Sequence, residues 1–321
     1  MMNMDKTVFA IVGTGMMASG LGTLTAGHGY KTYILARKME RAEACEKVIY
    51  DNFMQMVAHG LMEQEQLEQC MGYLVFTTDY SEMADAQMAF ECVSEAKDMK
   101  YSVYQLLEEY CPDLKAIGSV SSSIVPNELI KGAGKYANRI LVTHPFNPPY
   151  LVPFFEMCAA DKTDPSVVIY VKDILLALDR KPVVLKKPTP GFIGNRLQFA
   201  LWRECLALVE EGVCMPEDVD ACLAYSFCPR YTSIGIFQHF DQGGLELNAA
   251  VCRNTWPVLS SRTEIPEFMK DLMEKGYMGA KSPSKRGFYD WNGVDMKAYA
   301  EKVSEPYWKF CNWDFLRKES E

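Results

Sequence analysis

The alternation of apolar and polar positions divides the chain into two stretches of different rhythm. Over roughly the first 187 residues, short apolar runs of β type alternate with amphipathic segments whose apolar positions recur at helical spacing. Strands are expected over Thr7 to Val12, Lys31 to Leu35, Gly72 to Thr77, Gln87 to Val93 and Lys115 to Ser119. Polar and amphipathic helices are expected over 38–70, and a further helix over Lys97 to Tyr110. Strands that alternate with helices build a mostly parallel, doubly wound α/β sheet. From Pro190 onward the β rhythm vanishes. Phe192 to Glu211 is one long amphipathic pattern. Pro216 opens another that runs to Tyr225, with Glu217 and Asp218 in its first turn. The expected organisation is an N-terminal α/β domain over 1–187 and an all-helical C-terminal domain over 188–321.

The first strand runs directly into Gly13-Thr14-Gly15-Met16-Met17-Ala18, and Leu21, Leu24 and Thr25 follow at helical spacing. This is strand, tight glycine turn, helix. In a dinucleotide-binding fold the first glycine makes the turn, the second lets backbone N–H groups approach a pyrophosphate, and the third position must be small. Gly13, Gly15 and Ala18 fill these roles, with Met16 and Met17 between them. The second strand sits at the spacing of a βαβ unit, which makes the N-terminal domain Rossmann-like. At its end an NAD-binding fold usually carries an acid for the ribose hydroxyls. Here stand Ala36, Arg37 and Lys38. A small residue leaves room for a 2′-phosphate, and a guanidinium can bind it with paired hydrogen bonds. NADP(H) is therefore expected to be preferred, with NAD(H) as the alternative. In the competing reading Arg37 merely begins the solvated face of the next helix.

Composition changes this picture little and excludes a good deal. A chain of 321 residues is long for one core and suggests two domains. Hydrophobic residues at 49% and charged residues at 23% fit a globular protein, and no segment approaches a membrane-spanning apolar run. The net charge of -9 disfavours nucleic acid and anionic membrane as partners. Eleven scattered cysteines without a CxxC pair point to free thiols in a reducing compartment, and the four histidines lack metal-ligand spacing, so no metal is expected. Met1 to Lys6 run straight into the first strand without the features of a signal peptide, so a cytoplasmic location is expected.

Three further segments carry chemistry: Ser119-Val120-Ser121-Ser122-Ser123, His144-Pro145-Phe146-Asn147-Pro148-Pro149, and Pro188 through Gly194-Asn195-Arg196-Leu197. Together with the glycine loop and the late segments Gly279-Ala280-Lys281 and Arg286-Gly287-Phe288-Tyr289, they resemble the L-3-hydroxyacyl-CoA dehydrogenase family over nearly the whole chain. Oxidising a secondary alcohol by hydride transfer needs a base for the hydroxyl proton, and histidine titrates near neutrality. His144 is the candidate. Glu156 follows twelve residues later, beyond a Pro-Pro turn, where a chain reversal could bring its carboxylate back to orient the imidazole. Ser122 and Asn195 would hydrogen-bond the substrate oxygen as it gains negative charge. These four positions match the family's catalytic Ser, His, Glu and Asn. Glu95, Lys100 and Asn147 match its cofactor-contacting positions. Val120 replaces a residue that is polar in much of the family, which leaves the geometry of the serine loop open.

The family divides by substrate. Its acyl-CoA members meet the CoA phosphates with lysine and serine on the helical hairpin after the second strand. From Val48 to Ala96 this chain has nine acids and no Lys or Arg, and the remainder balances at 33 against 33. A phosphate-rich handle finds little attraction there. The wording around His144, Asn195 and Val209-Glu210-Glu211-Gly212-Val213 resembles the lambda-crystallin/L-gulonate 3-dehydrogenase branch and, less closely, carnitine dehydrogenases. These relatives act on small free 3-hydroxy acids. Arg230, in Pro229-Arg230-Tyr231, resembles that branch's Arg-aromatic segment and could pair with a substrate carboxylate; the alternative is a surface arginine. The expected activity is reversible hydride transfer between a nicotinamide cofactor and a small free 3-hydroxy or 3-oxo acid. A 3-hydroxyacyl-CoA dehydrogenase recruiting Lys47 or Lys281 is the alternative, and a non-catalytic structural or cofactor-sensing protein a third reading. The resemblance also implies a homodimer formed through the helical domain.

Overall fold

In the computed structural model, residues 7–308 are described. They divide into two compact units, 7–192 with 300–308 and 193–299.

The first unit is built on an eight-stranded sheet: β1 (Phe9–Val12), β2 (Thr32–Leu35), β3 (Leu74–Thr77), β4 (Met88–Glu91), β5 (Ala116–Ser119), β6 (Ile140–Pro145), β7 (Phe154–Ala159) and β8 (Lys181–Val184). Their spatial order is β3-β2-β1-β4-β5-β6-β7-β8. Neighbours from β3 to β6 pair in parallel; β7 turns back antiparallel to β6, and β8 runs parallel to β7. Between them lie α1 (Met16–Gly27), α2 (Met39–Ala58), α3 (Gln64–Met71), α4 (Lys97–Tyr110), the single turn α5 (Pro126–Leu129) and α6 (Pro165–Ala177).

Every residue of β1, β2, β4, β5 and β6 is buried, as a parallel sheet covered on both faces requires. Alternation along β1 shows the two faces. Phe9 and Ile11 join one core with Leu21 and Leu24 of α1, Ile49 and Phe53 of α2, and Val171 and Ile174 of α6. Ala10 and Val12 join the other, with Tyr104 and Leu107 of α4 and Leu129 of α5. The expected doubly wound α/β sheet is present.

The second unit contains α7 (Gly194–Glu210), α8 (Pro216–Tyr225), α9 (Ile236–Gln242), α10 (Leu245–Thr255) and α11 (Glu267–Glu274), with no strand among its described residues. The last described helix is α12 (Met296–Trp308). The sequence reading assigned its whole length to the helical domain; residues 300–308 instead belong with the first unit. Tyr307 and Trp308 pack on the first core, and the Trp308 ring stacks on His59 with centroids 4.3 Å apart. Helical periodicity alone does not assign an amphipathic segment to one core or another.

Candidate active site

β1 and β4 are neighbours in the sheet, while the chain leaves β1 toward β2 on one side and continues from β4 toward β5 on the other. Such a switch point opens a crevice at the carboxyl ends of the strands. Here it is a cavity of about 960 Å³, whose walls include Gly13, Gly15, Ala36, Arg37, Cys92 and Ser94. Gly13 has φ +129°, and a Cβ there would stand 2.9 Å from the Cys92 carbonyl oxygen. Only glycine fits this turn. Gly15 caps α1 in extended conformation, and a Cβ on it would meet nothing within 4 Å. Its bare backbone lines the cavity at the start of α1, and a helix N-terminus offers N–H groups to an anion. Ala18 is fully buried, Met16 is exposed and Met17 half-buried.

Beside the end of β2, Ala36 is buried and Arg37 exposed, its guanidinium against the Met99 sulfur. Arg41, in the first turn of α2, lines the same cavity. The sequence pattern does not single it out, because Arg37 precedes the helix and no helical spacing links the two. Lys38 caps α2 in an exposed position and is not part of the cavity wall. Asp98 contributes one acid to the wall. Helix-terminal donors at one end and two guanidinium groups beside a small residue at the other fit a dinucleotide.

The β6–β7 pairing sets His144 directly opposite Glu156, and Nδ1 lies 2.8 Å from Oε2. The histidine is 5% exposed and the glutamate fully buried. An ionised carboxylate can only accept, so Nδ1 carries the hydrogen and Nε2 is left with its lone pair. Phe146 and Phe192 flank the imidazole, with centroids at 5.2 and 5.8 Å. Phe192 is buried at φ +48°, a left-handed backbone that costs a bulky residue energy and recurs at functional sites. Its role was not legible in the sequence, beyond its place after Gly191. Asn147 is exposed just past the end of β6.

Ser122 is half-buried in the turn after β5. Val120 does not disturb this turn. Its N–H donates to the Glu91 carbonyl at 3.0 Å, and its side chain packs on the core, so the serine loop begins after it. Glu95 and Lys100, expected beside the cofactor, are engaged within the protein. Glu95 accepts from the Ser122 N–H at 2.7 Å and from the Ser121 hydroxyl at 2.9 Å. Lys100 is 1% exposed and donates to both oxygens of Glu91, at 2.8 and 3.0 Å. Glu91 also accepts from the hydroxyls of Tyr104 and Ser119 and from the Val93 N–H. Burial pushes its carboxyl upward, and the donors from Lys100, Ser119 and Tyr104 pull against that.

In the second unit, Asn195 lies in the first turn of α7. Arg230 is exposed in a short 3₁₀ turn, its Nη1 3.2 Å from His239 Nε2. Among the nine acids of the 48–96 segment, Asp85 is neutralised by Lys31 at 2.8 Å and Glu91 by Lys100, whereas Asp51, Glu63, Glu65 and Glu68 stand exposed on or beside α2 and α3. The described cysteines are free, and burial pushes Cys45 and Cys70 up to about 12. Among the described residues no metal-binding group occurs, and no helix is long and apolar enough to cross a membrane.

Residues 8–188 match the 3-hydroxyacyl-CoA dehydrogenase NAD binding domain, and residues 191–291 match the C-terminal domain of the same enzymes. The chain belongs to the 3-hydroxyacyl-CoA dehydrogenase family. It is an oxidoreductase of that family, and the expected likeness to the lambda-crystallin and carnitine dehydrogenase branch is present. An L-carnitine dehydrogenase of Mesorhizobium japonicum is 30% identical over 276 residues, covering 83% of this chain and 73% of the relative. Lambda-crystallin of Oryctolagus cuniculus is 27% identical over 270 residues, covering 83% and 84%. The crystal structure of a 5-formyl-3-hydroxy-2-methylpyridine 4-carboxylic acid 5-dehydrogenase, described as an NAD+-dependent dismutase, superposes with a TM-score of 0.85 at 26% identity, covering 95% of this chain and 97% of that one.

Proposed function

We propose that the protein is an NADP(H)-preferring dehydrogenase of a small free 3-hydroxy acid, or a reductase of the matching 3-oxo acid, with His144 as acid and base. The observation that carries the reading is the buried His144–Glu156 pair, Nδ1 to Oε2 at 2.8 Å, which leaves Nε2 free to exchange a proton. In the oxidative direction Nε2 takes the hydroxyl proton as the C3 hydride leaves, and Glu156 stabilises the imidazolium that results. A bound nicotinamide dinucleotide supplies the hydride acceptor. Ser122 donates to the substrate oxygen, which gains negative charge on the way. Asn195 and Arg230 keep the roles their motifs imply, as a second donor and a carboxylate partner.

Free acids are favoured over CoA thioesters for two reasons. Relatives named for carnitine and for a pyridine carboxylate act on substrates without CoA. The exposed acids of α2 and α3 repel phosphate. The cofactor preference rests on Ala36, Arg37 and Arg41, and departs from the NAD+ of the pyridine carboxylate dehydrogenase. We further propose a homodimer in a reducing compartment such as the cytoplasm.

The test crosses NADPH and NADH with acetoacetyl-CoA and a panel of free 3-oxo acids. The expected result is a higher kcat/KM for a free acid with NADPH than for any other combination. A higher value for acetoacetyl-CoA than for every free acid overturns the substrate assignment, and equal efficiency with NADH overturns the cofactor assignment. No turnover across the panel favours the structural or sensing role that the likeness to lambda-crystallin suggests.

A further inference from the structure

Beneath the Ser121–Ser122 turn lies a cluster of three charges. Lys100 and Glu91 are 1% and 0% exposed in their side chains, a depth at which lysine and glutamate occur only when paired. One carboxylate neutralises one ammonium. Yet a second carboxylate is drawn in: Glu95 Oε2 stands 4.0 Å from Lys100 Nζ. The hydrogen bonds of Glu95 run to two residues, Ser121 and Ser122. Oε2 accepts from the Ser121 hydroxyl at 2.9 Å, while Oε1 accepts from the Ser122 N–H at 2.7 Å and from its hydroxyl at 3.3 Å. Ser121 is itself fixed, since its hydroxyl oxygen accepts from the Ile124 N–H at 2.9 Å. The bonds differ in strength in a useful way. The short one holds the Ser122 backbone, and the long one leaves the hydroxyl proton free to turn to another acceptor.

We propose that Glu95 is a positioning residue for hydride transfer: anchored by the Lys100–Glu91 pair, its carboxylate clamps the Ser121–Ser122 turn so that the Ser122 hydroxyl is presented to the substrate oxygen. This rests on Ser122 being the donor to that oxygen. It differs from a role for Glu95 in holding the cofactor, and the two roles separate in kinetics. A positioning residue moves kcat, because a donor displaced by about an ångström loses roughly a hundredfold, while a cofactor contact moves cofactor affinity.

The experiment uses the full chain with NADPH and the most rapidly reduced acid of the panel. Glu95→Ala is expected to lower kcat about tenfold to a hundredfold at saturating cofactor. NADPH affinity, read by fluorescence titration, is expected to stay within about twofold. Glu95→Gln keeps an acceptor for the Ser122 N–H and recovers part of the loss; it also carries the test if Glu95→Ala does not fold. In a Ser122→Ala background the Glu95 substitution is expected to cost less than about threefold more, since both act through one hydroxyl. A wild-type kcat with weakened NADPH binding, or full additivity with Ser122→Ala, overturns the proposal. A wild-type kcat for Ser122→Ala alone overturns the assignment of Ser122 beneath it.

Discussion

His144 and Glu156 are twelve positions apart in sequence and directly opposite one another across the antiparallel β6–β7 pair, Nδ1 2.8 Å from Oε2. The reversal that makes this pair occurs in a sheet that is otherwise parallel up to β6. His144→Ala is expected to lower kcat by about a hundredfold to ten-thousandfold, with NADPH affinity nearly unchanged in a fluorescence titration. Glu156→Gln keeps the hydrogen bond but not the charge, so it should reduce kcat by a smaller factor. Normal turnover in His144→Ala removes it as the base.

Arg37 and Arg41 flank the space beside Ala36. Hydrogen bonds to a charged group contribute about 1.5–3 kcal/mol, so Arg37→Ala should lower kcat/KM for NADPH about tenfold to a hundredfold and leave NADH little changed. Ala36→Asp should reverse the preference by repelling the 2′-phosphate. Steady-state kinetics with both cofactors checks this, and an unchanged ratio in Arg37→Ala, Arg41→Ala and Ala36→Asp together sinks the assignment.

Lys100→Met strands the Glu91 carboxylate in the core. Breaking a buried pair on one side costs about 3–5 kcal/mol, read as a lower urea midpoint at an unchanged slope. The double variant Glu91→Gln with Lys100→Met should recover part of that loss. A single variant as stable as the parent would show that Glu91 accepts a proton and sits neutral without cost.

Gly13→Ala places a methyl group against the Cys92 carbonyl at a backbone angle that alanine avoids. Strain of this kind costs about 1–3 kcal/mol. The turn must shift to relieve it, so cofactor affinity should fall together with thermal stability. A variant that binds NADPH normally would place the pyrophosphate elsewhere.

The Glu128 carboxyl is held down to about 2 by hydrogen bonds from Lys131 and Lys97. The unfolded chain therefore protonates this group first as the pH falls. The stabilisation is complete above the unfolded value of about 4.3 and is lost as the pH drops through the folded one. The Tm difference between the parent and Glu128→Gln should accordingly be largest near neutrality, narrow below about pH 4.3, and shrink in high salt because the pair is exposed. A gap independent of pH would contradict the pairing.

Much of the fold was legible because local rules agree with the global one. The helices Lys97–Tyr110 and Pro216–Tyr225 end where their apolar periodicity and Pro216 place them, and the strands at 9–12, 32–35, 74–77, 88–91 and 116–119 lie inside their apolar runs. The strands β6, β7 and β8 lie outside the runs from which strands are expected. β7 is buried from Phe155 to Cys158, but Glu156 interrupts its apolar run; β8 is an exposed edge that begins Lys181-Pro182 and lacks the buried run that marks a central strand.

The sequence by itself determined the glycine turn, the missing acid after β2, the local acidity and which side chains are candidates for the site, because each depends on residue type and short spacing. Tertiary structure decided what each partner is. Register across β6 and β7 joins His144 to Glu156; strand order brings β5 beside β4, so that Glu95 reaches Ser122 and Glu91 reaches Ser119. These contacts cross long stretches of chain, and no local periodicity encodes which pairs close.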